Sequence, residues 1–245
     1  MGIRDDQWDR IKDMLPGRAG HVGVTARNNR LFIDAVLYRY RTGIPWRDLP
    51  EEDGDFRNVH RRFSRWAEKG IWARLLSVLA QKADTEYVMI DSTIVRAHQH
   101  SAGGRDPNQQ AIGRSRGGLS IHALTDALGN PTRLLLTPGQ AHDLVGSDVL
   151  LTDLSAGAVI ADKAYDADDR VVQPLKHAGI EAVIPPRSKR RTARNYDREL
   201  YKARHLIENF FCKLKHFRAI ATRYDKLARN FQAAIQFAAT LIWLD

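Results

Sequence analysis

Two short apolar runs in the middle of the chain each end on an aspartate, and they constrain the fold more than any other feature. Residues 87–91 read YVMID and residues 158–162 read AVIAD. Neither run holds another charge. Brief apolar segments of this kind suit buried strands, which would deliver Asp91 and Asp162 at their C-terminal ends. Between them, residues 119–139 (LSIHALTDALGNPTRLLLTPG) read as a hairpin. One strand runs to about Asp126, a turn spans 128–131, and the return runs through Leu134 to Thr137. A helix is expected over 146–154, another over 166–178, and a last strand over 181–184, stopped by Pro185 and Pro186. The order strand, hairpin, helix, strand, helix, strand, helix predicts an α/β domain, a mixed sheet flanked by helices.

Residues 197–217 read as one amphipathic helix. With Glu208 set at zero on a helical wheel, Tyr201, Arg204 and Lys215 fall within roughly 40° of it. Ala203, Leu206, Phe210, Leu214 and Phe217 occupy the opposite side and make a core seam. An ordinary surface helix with an i,i+4 Arg–Glu pair has the same pattern. The strand-end aspartates give Glu208 further meaning. Three carboxylates, two from strand ends and one from a helix that can dock on the sheet, make a site for two divalent cations. Hard oxygen donors favour Mg²⁺, with Mn²⁺ as the variant, over zinc.

The first 84 residues are helical in pattern, over 5–14, 27–42, 56–69 and 71–83. Asp55 is the expected N-cap of the third helix. Val59, Phe63 and Trp66 share one side of it. Arg57, Arg61, Arg62 and Arg65 lie largely on others, and the unit resembles a helix-turn-helix reader of DNA. A surface helix with solvated arginines is the plainer account of the same residues.

The chain carries a net charge of +9, and its distribution is uneven: residues 187–229 hold +10, residues 87–186 hold −3. A basic surface around a slightly acidic middle points to a polyanionic partner facing a metal–carboxylate site. Arg190 and Arg191, in the basic loop 187–194, are candidate contacts to a DNA backbone. The glycine-rich loop 101–118 lacks a phosphate-cradling pattern. The single cysteine, Cys212, excludes an intrachain disulfide and suits the cytoplasm. No apolar run is long enough to span a bilayer, and no signal peptide is expected.

Tyr201, Arg204, Glu208 and Lys215 stand in the spacing Y-x2-R-x3-E-x6-K, which resembles the signature of DDE transposases of bacterial insertion sequences, in the group of insertion sequences four and five. Four further stretches resemble the same family. They are YRTGIPWRDLP with DFRNVHRRFSRW, IDSTIVRAHQHSAG, IADKAYDA, and IENFFCKLKHFRAIATRYDKLARNF. The likeness runs nearly end to end. One departure is that GGLS runs straight into IHAL, where relatives often carry a basic residue.

The resemblance implies a ribonuclease H-like catalytic domain over 85–245, preceded by a small all-helical domain over 1–84 that binds the element's ends. It implies Asp91, Asp162 and Glu208 as catalytic, metal-binding residues. Arg204 and Lys215 would contact phosphate or order the site, with Tyr201 packed beside them. Cleavage of the 3′ ends and attack of the freed 3′-OH on target DNA would follow, in at least a dimer on DNA. A catalytically idle DNA-binding regulator and an unrelated metal nuclease are the alternatives. His98, His100 and His142 have no fixed third partner and read as structural or solvent-facing. His142 and Asp143 are candidates for a supporting place beside the site.

Overall fold

The computed structural model describes residues 2–18, 20, 25–101, 118–188, 190 and 194–245. Helices come first: α1 (Asp5–Ile11), α2 (Asn29–Thr42), α3 (Phe56–Glu68) and α4 (Ile71–Ala80). Strands β1 (Tyr87–Ala97), β2 (Gly118–Thr125) and β3 (Pro131–Pro138) follow, then α5 (Asp143–Leu150), β4 (Ala158–Ile160), α6 (Gln173–His177) and β5 (Glu181–Val183). Helices α7 (Arg198–Tyr201), α8 (His205–Lys215), α9 (Arg218–Ala221) and α10 (Ala228–Leu244) complete the order. The chain divides into two compact units. One comprises Met1–Leu79, a segment beginning at His98, and Leu214–Asp245; the other comprises Ala80–Ala97 and a segment ending at Lys213.

The first unit is helical and held by aromatic packing. The Asn28 side chain accepts from Leu31 N at 2.9 Å and starts α2, while Gly43, at φ 80°, ends it in the left-handed conformation. Asp55 caps α3 as expected, accepting from Arg57 N at 2.8 Å. The helical period then turns Val59, Phe63 and Trp66 inward, and all three are buried. Trp72 is fully buried, with ring centroids 5.4 Å from Phe63, 5.2 Å from Trp66 and 5.1 Å from Phe237 on α10. Segments at opposite ends of the chain therefore share one core. Arg4 Nη1 and Gln7 Nε2 also donate to Asp245 Oδ1, at 2.7 and 2.8 Å. Among the described residues, no helix is long and apolar enough to cross a membrane.

The second unit holds a mixed sheet in the order β3-β2-β1-β4-β5. The β1–β2 and β2–β3 pairs are antiparallel; the β1–β4 and β4–β5 pairs are parallel. Val88 and Ile90 of β1 join Val159 of β4, Leu144 and Leu150 of α5 and Leu175 of α6 in one core. By strand alternation, Met89 and Asp91 face the other side of the sheet.

Three expectations need correction. Strand β1 does not stop at Asp91; it continues to Ala97, paired with β2 from Asp91↔Ala123 to Arg96↔Gly118. A charge ends an apolar run without ending a strand when an antiparallel neighbour still offers hydrogen bonds. The helix expected over 166–178 is only partly α-helical. A 3-10 turn over Lys163–Tyr165 and a π-helical turn over Asp168–Val172 precede a short α6. Nor is 197–217 a continuous α-helix, for a 3-10 turn over Lys202–Arg204 separates α7 from α8. Ile207 and Phe211 join Phe210 and Leu214 in the buried seam, while Leu206 is only half-buried. The glycine-rich loop falls largely on 102–117, outside the described residues.

Helix α5 approaches the sheet at a glycine. His122 of β2 is buried, its Nε2 2.8 Å from Thr137 Oγ1. A Cβ on Gly146 would lie 2.4 Å from His122 Nδ1. Gly146→Ala is therefore expected to destabilise the fold by about 1–3 kcal/mol through overpacking. Chemical unfolding measures it, and an unchanged midpoint would mean that His122 yields without cost.

Candidate active site

Strand register brings the two aspartates together. Met89 of β1 pairs with Ile160 of the parallel β4. Asp91 and Asp162 each stand two residues further along their own segment. Asp162 is still extended, at φ −76° and ψ 174°, so both side chains return to the face of Met89 and Ile160. Asp91 thus stands two residues past the last parallel pair and well inside its own strand. Strand β4 stops at Ile160, and the Asp162 side chain caps the turn that follows, accepting from Ala164 N at 2.7 Å.

Arg204 ties the third carboxylate to the first. Its Nη1 donates to Glu208 Oε1 at 2.5 Å, and its Nη2 donates to Asp91 Oδ2 at 2.7 Å. The first contact is the i,i+4 pair expected from the helical wheel. The second joins residues 113 positions apart. Asp91 Oδ1 also accepts from Ser92 N at 2.7 Å. The Glu208 side chain is 53% exposed and that of Asp91 only 15%. Asp91 is thus the sequestered end of the bridge. Tyr201 is half-buried, its ring edge-on to Tyr196 with centroids 5.6 Å apart. Burial and the charges of Asp162 and Asp91 raise its phenol against the pull of Arg204. Lys215 ends α8 and is exposed.

The electrostatics of Asp91 are set by burial. Burial raises its carboxyl above the usual range, against the pull of Arg204 and the Ser92 N–H, with the charge of Asp162 adding to the rise. A carboxyl raised on folding contributes stability that is fully present below its unfolded pKa and is lost as pH climbs through its folded one. Asp91 therefore destabilises the fold at neutral pH. Asp91→Asn keeps the shape and an acceptor for Arg204. It should raise the unfolding midpoint at neutral pH, with the gain vanishing below the ordinary aspartate value of 3.8. A pH series of melting curves checks the sign. Burial opposes the Arg204 charge, yet Asp91, Tyr201, Glu208 and Asp162 together hold its guanidinium above the usual value.

Three neighbours complete the surroundings: Asp143, which the sequence offered as a supporting residue, and Ser92 and Tyr165, which no spacing singled out. Ser92 Oγ donates to Asp143 Oδ1 at 2.6 Å, which brings a fourth carboxylate beside Asp91. Asp143 opens α5, whose N-cap is His142, accepting from Leu144 N at 3.2 Å. His142 is thus a helix cap. Tyr165 is buried, and its hydroxyl has no hydrogen-bond partner among the described residues. Burial, then the charges of Asp143, Asp91 and Asp162, push its phenol far above the usual range. The motif ADKAYDA held that tyrosine in view, three residues after Asp162, but no spacing rule singled it out.

The donors suit a hard divalent cation in kind, being carboxylate oxygens. Their arrangement does not yet gather for one. Glu208 is engaged by Arg204, and among the described residues no group of three His, Cys, Asp or Glu side chains is placed to hold a metal ion. The guanidinium supplies the positive charge between Asp91 and Glu208.

The basic residues separate by environment. Arg57, Arg61 and Arg65 recur at i, i+4, i+8 along α3, and all three are exposed. Arg62 is not on that face. Its guanidinium stacks on Phe32 at 4.2 Å and Trp66 at 4.7 Å and donates to Asn29 Oδ1, and burial lowers its pKa to about 10. It packs where it was expected to meet DNA. Arg190 is likewise a structural pin. It pairs with Asp166 at 2.5 Å and with Asp168, while Arg194 reaches the same buried Asp166 at 3.1 Å. Arg191 lies outside the described residues.

Known proteins resemble this chain in sequence. A family model described as "Transposase DDE domain" matches residues 82–243, and one described as "Putative transposase of IS4/5 family" matches residues 3–76. The "Putative transposase for insertion sequence element IS6501" of Brucella ovis is 41% identical over 128 residues, covering 51% of this chain and 96% of that protein. The "Uncharacterized protein y4sN" of Sinorhizobium fredii is 56% identical over 104 residues, 42% of this chain and 83% of its own length. The "Putative transposase for insertion sequence element IS402" of Burkholderia cepacia is 30% identical over 141 residues, 53% of this chain and 64% of its own. No solved structure matches the chain.

Proposed function

Because the chain belongs to the DDE transposases of the IS4/5 family, we propose that it binds the ends of an insertion sequence, cuts DNA there, and joins the freed 3′-OH to target DNA. The observation that carries this reading is the placing of Asp91 and Asp162 on one face at one level of the sheet, with Glu208 bridged to Asp91 through Arg204. We assign residues 85–245 to a ribonuclease H-like catalytic domain built on the sheet, with Leu214–Asp245 packed in the helical unit, and end binding to residues 1–84.

Asp91, Asp162 and Glu208 are the residues that would hold Mg²⁺ or Mn²⁺, two ions in this reading. Such ions, if bound there, would supply a water of lowered pKa and charge stabilisation for a departing oxygen. The protein's own share is positioning and charge. The Ser92 N–H and Arg204 orient Asp91, and the turn at 163–165 orients Asp162. Arg204 is a cation already placed among the carboxylates, close enough to meet a phosphate. Exposed Arg57, Arg61 and Arg65 offer charge to a DNA backbone. Like other enzymes that join two DNA ends, the protein would work as at least a dimer on DNA.

The test is incubation of the purified chain with duplexes bearing the element's ends, with and without Mg²⁺. Site-specific nicking at the ends supports the proposal. Binding without nicking under any divalent ion points to a DNA-binding regulator, and cutting without regard to end sequence points to a nuclease.

A further inference from the structure

Within the helical unit lies a cavity of about 1220 Å³ that plays no part in the carboxylate site. Its walls differ in chemistry. Arg57, Arg61 and Arg65, one face of α3, line one part, joined by exposed Arg47 and Lys226. Glu68 is the carboxylate among the lining side chains, and Arg229 pairs with it at 3.2 Å. At the floor, Arg39 is 3% exposed. Its guanidinium stacks on Tyr40 at 4.4 Å and Trp46 at 5.0 Å and pairs with Asp225 at 3.7 Å, and its Nε and Nη1 make no hydrogen bond among the described residues. The rim is therefore strongly positive, while at the floor the buried Asp225 carboxylate offsets the Arg39 charge.

Another wall is a run of rings. His100 meets His98 at 4.6 Å between centroids, and His98 meets Tyr224 at 4.7 Å with planes tilted by 30°. Tyr224 is 37% exposed, one of the few large apolar side chains left open among the described residues. The run is built in place. His98 N donates to Arg223 O at 2.9 Å, and the buried Arg223 side chain grips the backbone of Asp225 at 2.7 Å and Lys226 at 3.0 Å. A duplex presents phosphates outward and keeps its bases stacked on one another, so it would gain nothing from aromatic rings. Unpaired bases offer free faces, and a cationic groove with aromatic walls matches a strand that exposes both phosphates and bases.

We propose that this cavity binds a single-stranded segment of DNA, its phosphates along Arg57, Arg61 and Arg65 and one or more bases stacked on Tyr224 and His98. The inference rests on the reading of the chain as a DNA-processing enzyme and adds the strand state that its helical unit captures. It also gives His98 and His100 a place that the carboxylate site does not.

The experiment measures binding of the full chain to an oligothymidylate about ten nucleotides long, to an abasic strand of the same length, and to an end-bearing duplex, at one salt concentration. The oligothymidylate is expected to bind roughly tenfold more tightly than the abasic strand, the gain for one stacked base. Tyr224→Ala should remove most of that difference, and Tyr224→Phe should restore it. Arg61→Ala should weaken both strands alike. Equal binding of the two strands, or a difference that survives Tyr224→Ala, overturns the proposal. Duplex ends bound and cut with no single-strand preference would sink the groove and leave the transposase standing. A Tyr224-dependent preference in a chain that never cuts end duplexes would support the groove and sink the transposase.

Discussion

Asp162→Asn is expected to lower the rate of end cleavage roughly a thousandfold or more, since losing a carboxylate that holds a catalytic cation removes several kcal/mol of charge stabilisation. End binding should change little, because the proposed end-binding arginines are on α3. The substitution is nearly isosteric. The asparagine carbonyl still accepts from Ala164 N, which Asp162 Oδ1 meets at 2.7 Å, so the turn over Lys163–Tyr165 survives. Gel-shift and nicking assays on one preparation separate the two effects. Loss of binding with cleavage would count against the division of labour, and undiminished cleavage would remove Asp162 from the chemistry. Asp91→Asn should match it in cleavage while differing in stability, because burial dominates the Asp91 environment.

Trp72→Ala should be the most damaging single change to the fold. The ring is wholly buried against Phe63, Trp66 and Phe237, and its Nε1 donates to Phe63 O at 3.5 Å. Large-to-small changes at such sites cost about 3–5 kcal/mol, a large share of a domain's stability. Calorimetry or denaturant unfolding measures it, with Trp72→Phe as a milder partner that keeps most of the volume. A loss under about 1 kcal/mol would mean that α4 and α10 collapse into the space. Because Phe237 comes from the end of the chain, removing α10 should harm the helical unit as severely as removing part of α4.

Reading the chain as a line of residues succeeds where the chemistry is local. Asp55 was expected as an N-cap because a carboxylate beside three unpaired N–H groups is satisfied there in any fold. The side of α3 carrying Val59, Phe63 and Trp66 follows from the helical period, and so does the Arg204–Glu208 pair. It misjudges Arg62, which differs from Arg61 only in its neighbours across the fold, Phe32 and Trp66. Arg190 is misjudged for the same reason. A cation in a basic loop looks available until a buried aspartate, Asp166, is found beneath it.

By itself, then, the sequence determined the alternation of strands and helices, the Asp55 cap, the apolar runs closing on Asp91 and Asp162, and the signature spacing through Glu208. All of these depend on backbone periods and nearest neighbours. Only the tertiary structure decided that Asp91 lies inside a long strand level with Asp162, that Arg204 bridges Asp91 and Glu208, and that Ser92 and Tyr165 crowd the same place. Those facts depend on the register between β1 and β4 and on which partner wins each buried charge. Such choices are settled by pairing and desolvation among residues far apart in the chain.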